Sequence, residues 1–329
     1  MKPTAVYDSY WRFAAERLSV YYRKQRCEDG PWTEDPILEA FRFTNTYRAA
    51  DRVSQYLIRE IQYNSNRSCE PTDVVFRTLL FKIFNKIETW EAVEAAIGPI
   101  EWRPRILEQI ERVLDRRMRE GHRIYSAAYI MPAPRLGAVR KHSNHLALLA
   151  NMLKDRLPDR VCQAPNLSAV YELLLRYPGL GSFLAFQYAI DLNYSVYLNF
   201  PEDEFVIAGP GAIDGISKCF SDFERYSPED VIYHMMQRQE YEFKRLDISF
   251  PGLYGRPLQP IDCQNLFCEI SKYARVAHPE ISGVANRHRI KQMYKRSSRA
   301  APVPMFPPKW ALKVGKHERL GRTRQLALL

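Results

Sequence analysis

Apolar residues return every three or four positions through most of this 329-residue chain, a spacing that favours helices and leaves little room for strands. Tyr7, Trp11, Ala14, Leu18 and Tyr21 mark one face of a first helix that stops before the Asp29-Gly30-Pro31 break. Asp35 as an N-cap and Pro36 in the first turn predict a second helix, running without a breaker from Ile37 to about Ile61. Further helical segments are expected at 72–86, 88–97, 103–119, 143–157 and 167–177, with shorter pieces near 212–222, 228–245 and 263–276. Strand signal is confined to RIYSAAYIM (123–131) and EFVIAG (204–209), and neither alternates well. There is no internal repeat. The expected fold class is therefore mainly α, and a 46% hydrophobic chain of this length buries a substantial core, as one unit or two tightly packed lobes.

Several function classes drop out early. No apolar run approaches the roughly 18 residues of a membrane-spanning helix, and Asp8 and Arg12 interrupt any signal-like start, so a soluble protein, cytoplasmic and nucleoid-associated (nuclear in a eukaryote), is expected. The six cysteines, at 27, 69, 162, 219, 263 and 268, form no CxxC pair and read as reduced thiols. His142 and His145 stand three apart with no evident third ligand, so neither a metal nor a cofactor is expected. The net charge of +10 sits in the last residues: from Ala285 onward twelve Lys or Arg face the single acid Glu318, which leaves residues 1–284 at −1. A helical catalytic unit over 1–284 and a loosely ordered, proline-containing basic tail over 285–329 follow, the tail suited to polyphosphate contact.

The stretch RYPGLGSFLAFQYAIDL (176–192) places Pro178, Gly179 and Gly181 between two helical segments. A helix, Pro-Gly-Leu-Gly and a second helix make the pattern of a helix-hairpin-helix DNA-binding element, and also that of an ordinary helical corner. Glycine permits positive φ in the turn and lets amides at the second helix's N-terminus approach a phosphate, with Ser182 as a candidate cap. Such a contact positions a duplex without reading its sequence. In base-excision glycosylases a catalytic aspartate follows the hairpin; Asp203 falls 22 residues beyond Gly181 with Glu204 beside it, a place that a solvated acidic turn also fits. The GPGA that follows (209–212) opens another helix and is a second candidate anion site.

Five stretches, FRFTNTYRAADRVSQYL (41–57), IYSAAYIM (124–131) with Lys141-His142 after it, PGLGSFLAFQYAIDLNYS (178–195), EDEFVIAGPGAIDGISKCF (202–220) and DCQNLFCEISKYAR (262–275), together resemble the alpha-glutamyl/putrescinyl thymine pyrophosphorylases, most nearly their third clade. The resemblance spans roughly residues 5–280. It implies a fold related to the helix-hairpin-helix DNA glycosylases. The activity it implies is a transfer onto DNA: a 5-hydroxymethyluracil base, activated as its pyrophosphate ester, receives an amine from an amino acid or putrescine, and pyrophosphate leaves. A glycosylase-like reaction on a modified base, or a DNA-binding module without catalysis, are the alternatives. The implied partners are DNA with a flipped base and a small amine.

Physically, such a substitution requires a base outside the stack, fixed positive charge for the pyrophosphate and a carboxylate to deprotonate the incoming ammonium. Arg48 and Arg52, four apart and so on one helical face, are the candidate pyrophosphate grip, with Lys141 a third cation. Asp51, Asp191, Asp203 and Glu204 are the candidate carboxylates, Asp203 foremost because of where it falls after the hairpin. Arg48, Asp51, Arg52 and Gln55 equally fit a plain surface face, and Asp262, Gln264, Asn265 and Glu269 equally cap and line one helix. Cys263 and Cys268 read as core thiols.

Overall fold

The structure is a computed structural model that describes residues 1–26, 28–127, 131–296 and 303–315; Cys27, the stretch 128–130 of the first strand candidate, 297–302 and 316–329 lie outside the described residues. In chain order the helices are α1 (Ala5–Gln25), α2 (Pro36–Ala40), α3 (Arg52–Tyr56), α4 (Pro71–Phe84), α5 (Ile87–Ile97), α6 (Ile106–Arg119), α7 (Lys141–Lys154), α8 (Leu157–Cys162), α9 (Leu167–Leu175), α10 (Ser182–Asn193), α11 (Pro210–Cys219), α12 (Pro228–Arg245) and α13 (Pro260–Ala277). The described residues contain no strand, as a mainly α chain requires, and 204–209 as well as the described part of 123–131 are irregular.

Caps begin several helices where short polar residues fall. Asp35 Oδ1 accepts from the amides of Ile37 (2.8 Å) and Leu38 (3.0 Å), Asn166 Oδ1 accepts from Ala169 (2.8 Å), and Ser227 and Asp230 exchange hydrogen bonds in a capping box. α13 lies at the centre of one group and packs on α1, α11 and α12; α4 lies at the centre of another, with α5, α7 and α8, and α10 packs on both α9 and α4. One continuous apolar core, including Trp11, Phe76, Phe186 and Phe267, runs through both groups. The tightest approach is α11 on α13, where a Cβ at Gly215 would stand 2.0 Å from the Phe267 carbonyl. In the GPGA segment, a Cβ on Gly209 would strike the Phe183 ring at 2.5 Å, so that glycine is needed for packing.

The second helix departs from its expected length. α2 ends at Ala40, residues 41–47 are extended, Arg48–Ala50 is a single 3₁₀ turn, and α3 passes into a π-helical stretch at Leu57–Gln62. Tertiary partners override the local propensity here. Arg42 N donates to Gln292 O (2.9 Å), Thr44 N to Glu269 Oε2 (3.0 Å), Asn45 N to Asp51 Oδ1 (2.8 Å) and Arg48 N to Asp262 Oδ1 (3.0 Å). With the helix broken, Arg48 and Arg52 do not share a helical face.

The described parts of the basic stretch are also more ordered than its composition suggests. Tyr294 N donates to Ala40 O (2.9 Å), Met305 exchanges backbone hydrogen bonds with the Gln55 side chain, and Phe306 is buried. Lys309 donates to the carbonyls of Asn193, the last residue of α10, and of Ser195 and Leu198 beyond it.

Candidate active site

Gln187 and Asp191 stand four apart on α10, on one face of it, and both are buried. Arg48 meets that face. Its guanidinium binds Asp191 in two places, Nη1 to Oδ1 at 2.7 Å and Nη2 to Oδ2 at 2.9 Å, while Nε donates to Gln187 Oε1 (2.8 Å) and Nη1 to the Tyr194 hydroxyl (3.2 Å). Lys82, from the largely buried α4, approaches Asp191 Oδ2 at 3.2 Å and donates to Asn85 Oδ1. Burial opposes ionisation of Asp191, but the two cations overcome it and hold its carboxyl below the usual range. Burial in turn lowers the Lys82 ammonium. Asp191 is 0% exposed, so it cannot touch a substrate; its work is to fix Arg48.

Two further carboxylates flank this pair. Burial pushes Asp262 up to about 7, although it accepts the amides of Arg48 (3.0 Å) and Gln259 (3.1 Å). It therefore both caps α13 and holds the Arg48 turn. Glu202, the buried member of the acidic run, pairs with Arg256 at 3.3 Å, and burial raises its carboxyl. Arg256 lies 4.2 Å over the Trp310 ring, and burial lowers the neighbouring Lys309 to about 8.

The rim of this web is built by the extended segment 41–47 and α13. Arg17 Nε donates to Thr44 O (3.0 Å) and Nη2 to Asn45 Oδ1 (2.9 Å); Glu269 holds Thr44 and pairs with Lys272 at 2.6 Å. Asp51 closes the loop and is only partly buried. Burial pushes its carboxyl up to about 6, against the Asn45 amide and with the help of Glu269, while Arg17 and Arg48 pull it down. A polar line also leads outward from Arg48 through Gln187 to Gln264 (3.4 Å) and on to the partly exposed Cys268 (3.3 Å). Burial pushes that thiol to about 12, which leaves it protonated and a poor nucleophile. An accessible carboxylate near 6 beside fixed guanidiniums is suited to take a proton from a hydroxyl or ammonium near neutrality.

The other candidates sit elsewhere. Arg52 is exposed, 3.7 Å from Glu88. Lys141 is the first residue of α7, exposed, with its ammonium 4.5 Å over the Tyr125 ring. Asp203 and Glu204 are exposed, and their charges act on Tyr233 of α12. His142 binds Asp115 (2.8 Å), whereas His145 lies between Tyr125 OH (2.7 Å) and Pro132 O (2.8 Å), with burial pushing it down to about 4. Each histidine has its own partners and they do not form a shared metal site. Among the described residues no group of three or more His, Cys, Asp or Glu is placed to hold a metal.

The hairpin forms as α9, a turn and α10. Gly179 has φ +86° and lies against Pro132 and Pro134, whereas Gly181 has φ −72°, is exposed, and a Cβ there would meet nothing within 4 Å. Ser182 is the first helical residue, so the N-cap position belongs to Gly181 and no side chain caps α10. Sequence reading passed over Lys82, Glu202, Arg256 and Lys309 as site members. Lys82 alone carried a usable signal, as a cation inside the apolar run LLFKIF.

The stretches that meet at Arg48, from the 41–57, 178–195 and 262–275 segments, are far apart in sequence, and their convergence is what a family comparison can test. The model of the family described as the helical domain of 5-hmdU DNA kinase matches residues 4–283. The chain belongs to that family. A curated relative, the 5-hmdU DNA kinase of Bacillus phage SP10, is 25% identical over 291 residues, covering 82% of this chain and 45% of the relative. The chain thus spans a little under half the length of that relative. No solved structure matches, and no helix among the described residues is long and apolar enough to cross a membrane.

Proposed function

We propose that this helical unit works in thymine hypermodification of DNA, receiving a duplex on the α9–α10 hairpin and holding a flipped 5-hydroxymethyluracil base for chemistry at its exocyclic hydroxyl. Membership of a helical-domain family and the relative's printed activity support the substrate class. The observation that carries the reading is Asp51: a partly exposed carboxylate raised to about 6, set at the rim of the Arg48 web by three of the stretches that define the chain. In phosphorylation, Asp51 would accept the hydroxyl proton as the oxygen forms its bond to the transferred phosphorus, and the bond to the departing nucleoside diphosphate breaks. The 329 residues contain no G-x-x-x-x-G-K-[ST] run, so the reading gives this unit the DNA and base side of the reaction, without the phosphate-donor loop.

A second reading follows from the resemblance to the pyrophosphorylases: the same carboxylate would deprotonate an amine that displaces pyrophosphate from the activated base, with the exposed Arg52 and Lys141 as candidate anion contacts, the exposed Asp203 and Glu204 as the other carboxylates of the scheme, and the buried Arg48–Asp191 pair as its support. Two assays separate the readings. The first compares binding to duplexes carrying one 5-hydroxymethyluracil or one thymine; the expected result is preference for the hydroxymethylated duplex. The second follows base mass after incubation with a nucleoside triphosphate and a phosphate-donor kinase domain supplied in trans, or with putrescine and a pyrophosphorylated duplex. A gain of one phosphate supports kinase chemistry and a gain of amine supports transfer. Equal affinity for both duplexes would contradict the base-recognition reading.

A further inference from the structure

The loop between the first strand candidate and α7 holds an apolar side chain out in solvent. Val139 is fully exposed, and a lone exposed valine is ordinary in itself. Its neighbours, however, are pinned. Asn144, buried in the first turn of α7, accepts the amides of Leu136 (2.9 Å) and Ala138 (3.2 Å) and donates to the carbonyls of Ala138 (2.6 Å) and Arg140 (2.9 Å). One side chain therefore fixes the backbone on both sides of Val139, and Gly137 at φ +90° makes the turn before it.

The surroundings of this tip are basic. Residues 112–141 carry eight Lys or Arg against Asp115 and Glu120. Asp115 of α6 ties the elements together, since it pairs with Arg140 and with His142. Arg119 follows Asp115 by one turn of α6 and is exposed, as are Arg116, Arg123 and Arg135. The hairpin adjoins the same loop, because the Cβ position of Gly179 lies 3.5 Å from Pro132 O and from Pro134.

We propose that Val139 is an apolar wedge that enters the base stack of duplex DNA lying across α6, this loop and the hairpin. Phosphates on the flanking arginines supply affinity and register. The rigidly presented valine parts one base step, which bends the duplex and lowers the cost of extruding a base. The inference rests on the reading that this unit binds duplex DNA.

The experiment uses the full chain and a duplex with 2-aminopurine next to the target base, read for fluorescence enhancement and for affinity. Wild type should raise the fluorescence several-fold. Val139→Ser, whose exposed position leaves thermal stability unchanged, should lose more than half of that enhancement while its Kd rises less than about tenfold. Arg119→Gln with Arg135→Gln should instead weaken binding to all duplexes and reduce the slope of log K against log salt by about 2. A Val139→Ser protein that binds and enhances fluorescence like wild type overturns the wedge and leaves DNA binding intact. Failure of the wild type to bind any duplex overturns both the wedge and the reading beneath it.

Discussion

The two ends of α10 show opposite solutions within one helix. At its start, Gly181 and Ser182 are exposed and no side chain caps the first turn. Toward its end, Gln187, Asp191 and Asn193 are buried and every one is bonded to another element or loop. The open end has the geometry to meet a ligand, and the closed end has the geometry to keep that open end in place. A motif reading finds the first because glycine and proline announce it. The second depends above all on Arg48, which lies 139 residues from Gln187 and 143 from Asp191.

The comparison breaks most severely at Asp191. Asp191→Asn leaves Arg48 and Lys82 buried beside a neutral amide, and loss of a buried charge partner costs about 3–5 kcal/mol. Urea unfolding measures it; a loss below about 1 kcal/mol would mean that the pair does not anchor α10. The hairpin glycines should then separate from each other. Gly179→Ala forces a Cβ into the left-handed region and should cost about 1–2 kcal/mol. Gly181→Val carries no such strain, so it should fold, losing no more than about 1 kcal/mol as a poorer N-cap, and bind duplex DNA more weakly, by electrophoretic mobility shift. Undiminished binding by a folded Gly181→Val protein would make the hairpin a plain helical corner. The smallest effect belongs to Asp203→Asn, an exposed substitution expected to change stability by less than about 0.5 kcal/mol and to leave base preference intact. Loss of base preference in that variant would move the base role to the position favoured by hairpin spacing.

Helical periodicity exposed the helix-rich fold, and the hairpin was legible because its turn chemistry is local. The break after Ala40 was not, since FRFTNTYRAADRVSQYL contains no proline or glycine and is opened by Glu269, Asp262 and Gln292 from the far end of the chain. That one break decides the site. It turns Arg48 inward to Asp191, leaves Arg52 outside, and brings Asp51 to the rim. The acidic run PEDE was visible too, but which of its members is buried depends on Arg256 and on the segment around Lys309. Charge counting also treated 285–329 as one tail, whereas its described parts return to the body through contacts that composition cannot reveal.

The role given to Asp51 is tested by measuring, from pH 5 to 8, how much more tightly the protein binds a duplex with 5-hydroxymethyluracil than one with thymine. Ionised Asp51 accepts a hydrogen bond from the hydroxymethyl group, and such a charged contact is worth about 1.5–3 kcal/mol, or roughly tenfold or more in affinity. Because its pKa is raised to about 6, the preference should grow as pH rises through that value. The same shift means that the native state holds the proton more tightly than the unfolded chain does, so the contribution of Asp51 to stability should fall as pH rises from about 4 to 6. Asp51→Asn should abolish the pH dependence of the preference and most of the preference itself, and should make the loss of stability with rising pH smaller, the part that comes from Asp262 and Glu202 remaining. A preference that is flat across pH 6, or that survives in full in Asp51→Asn, would contradict the assignment.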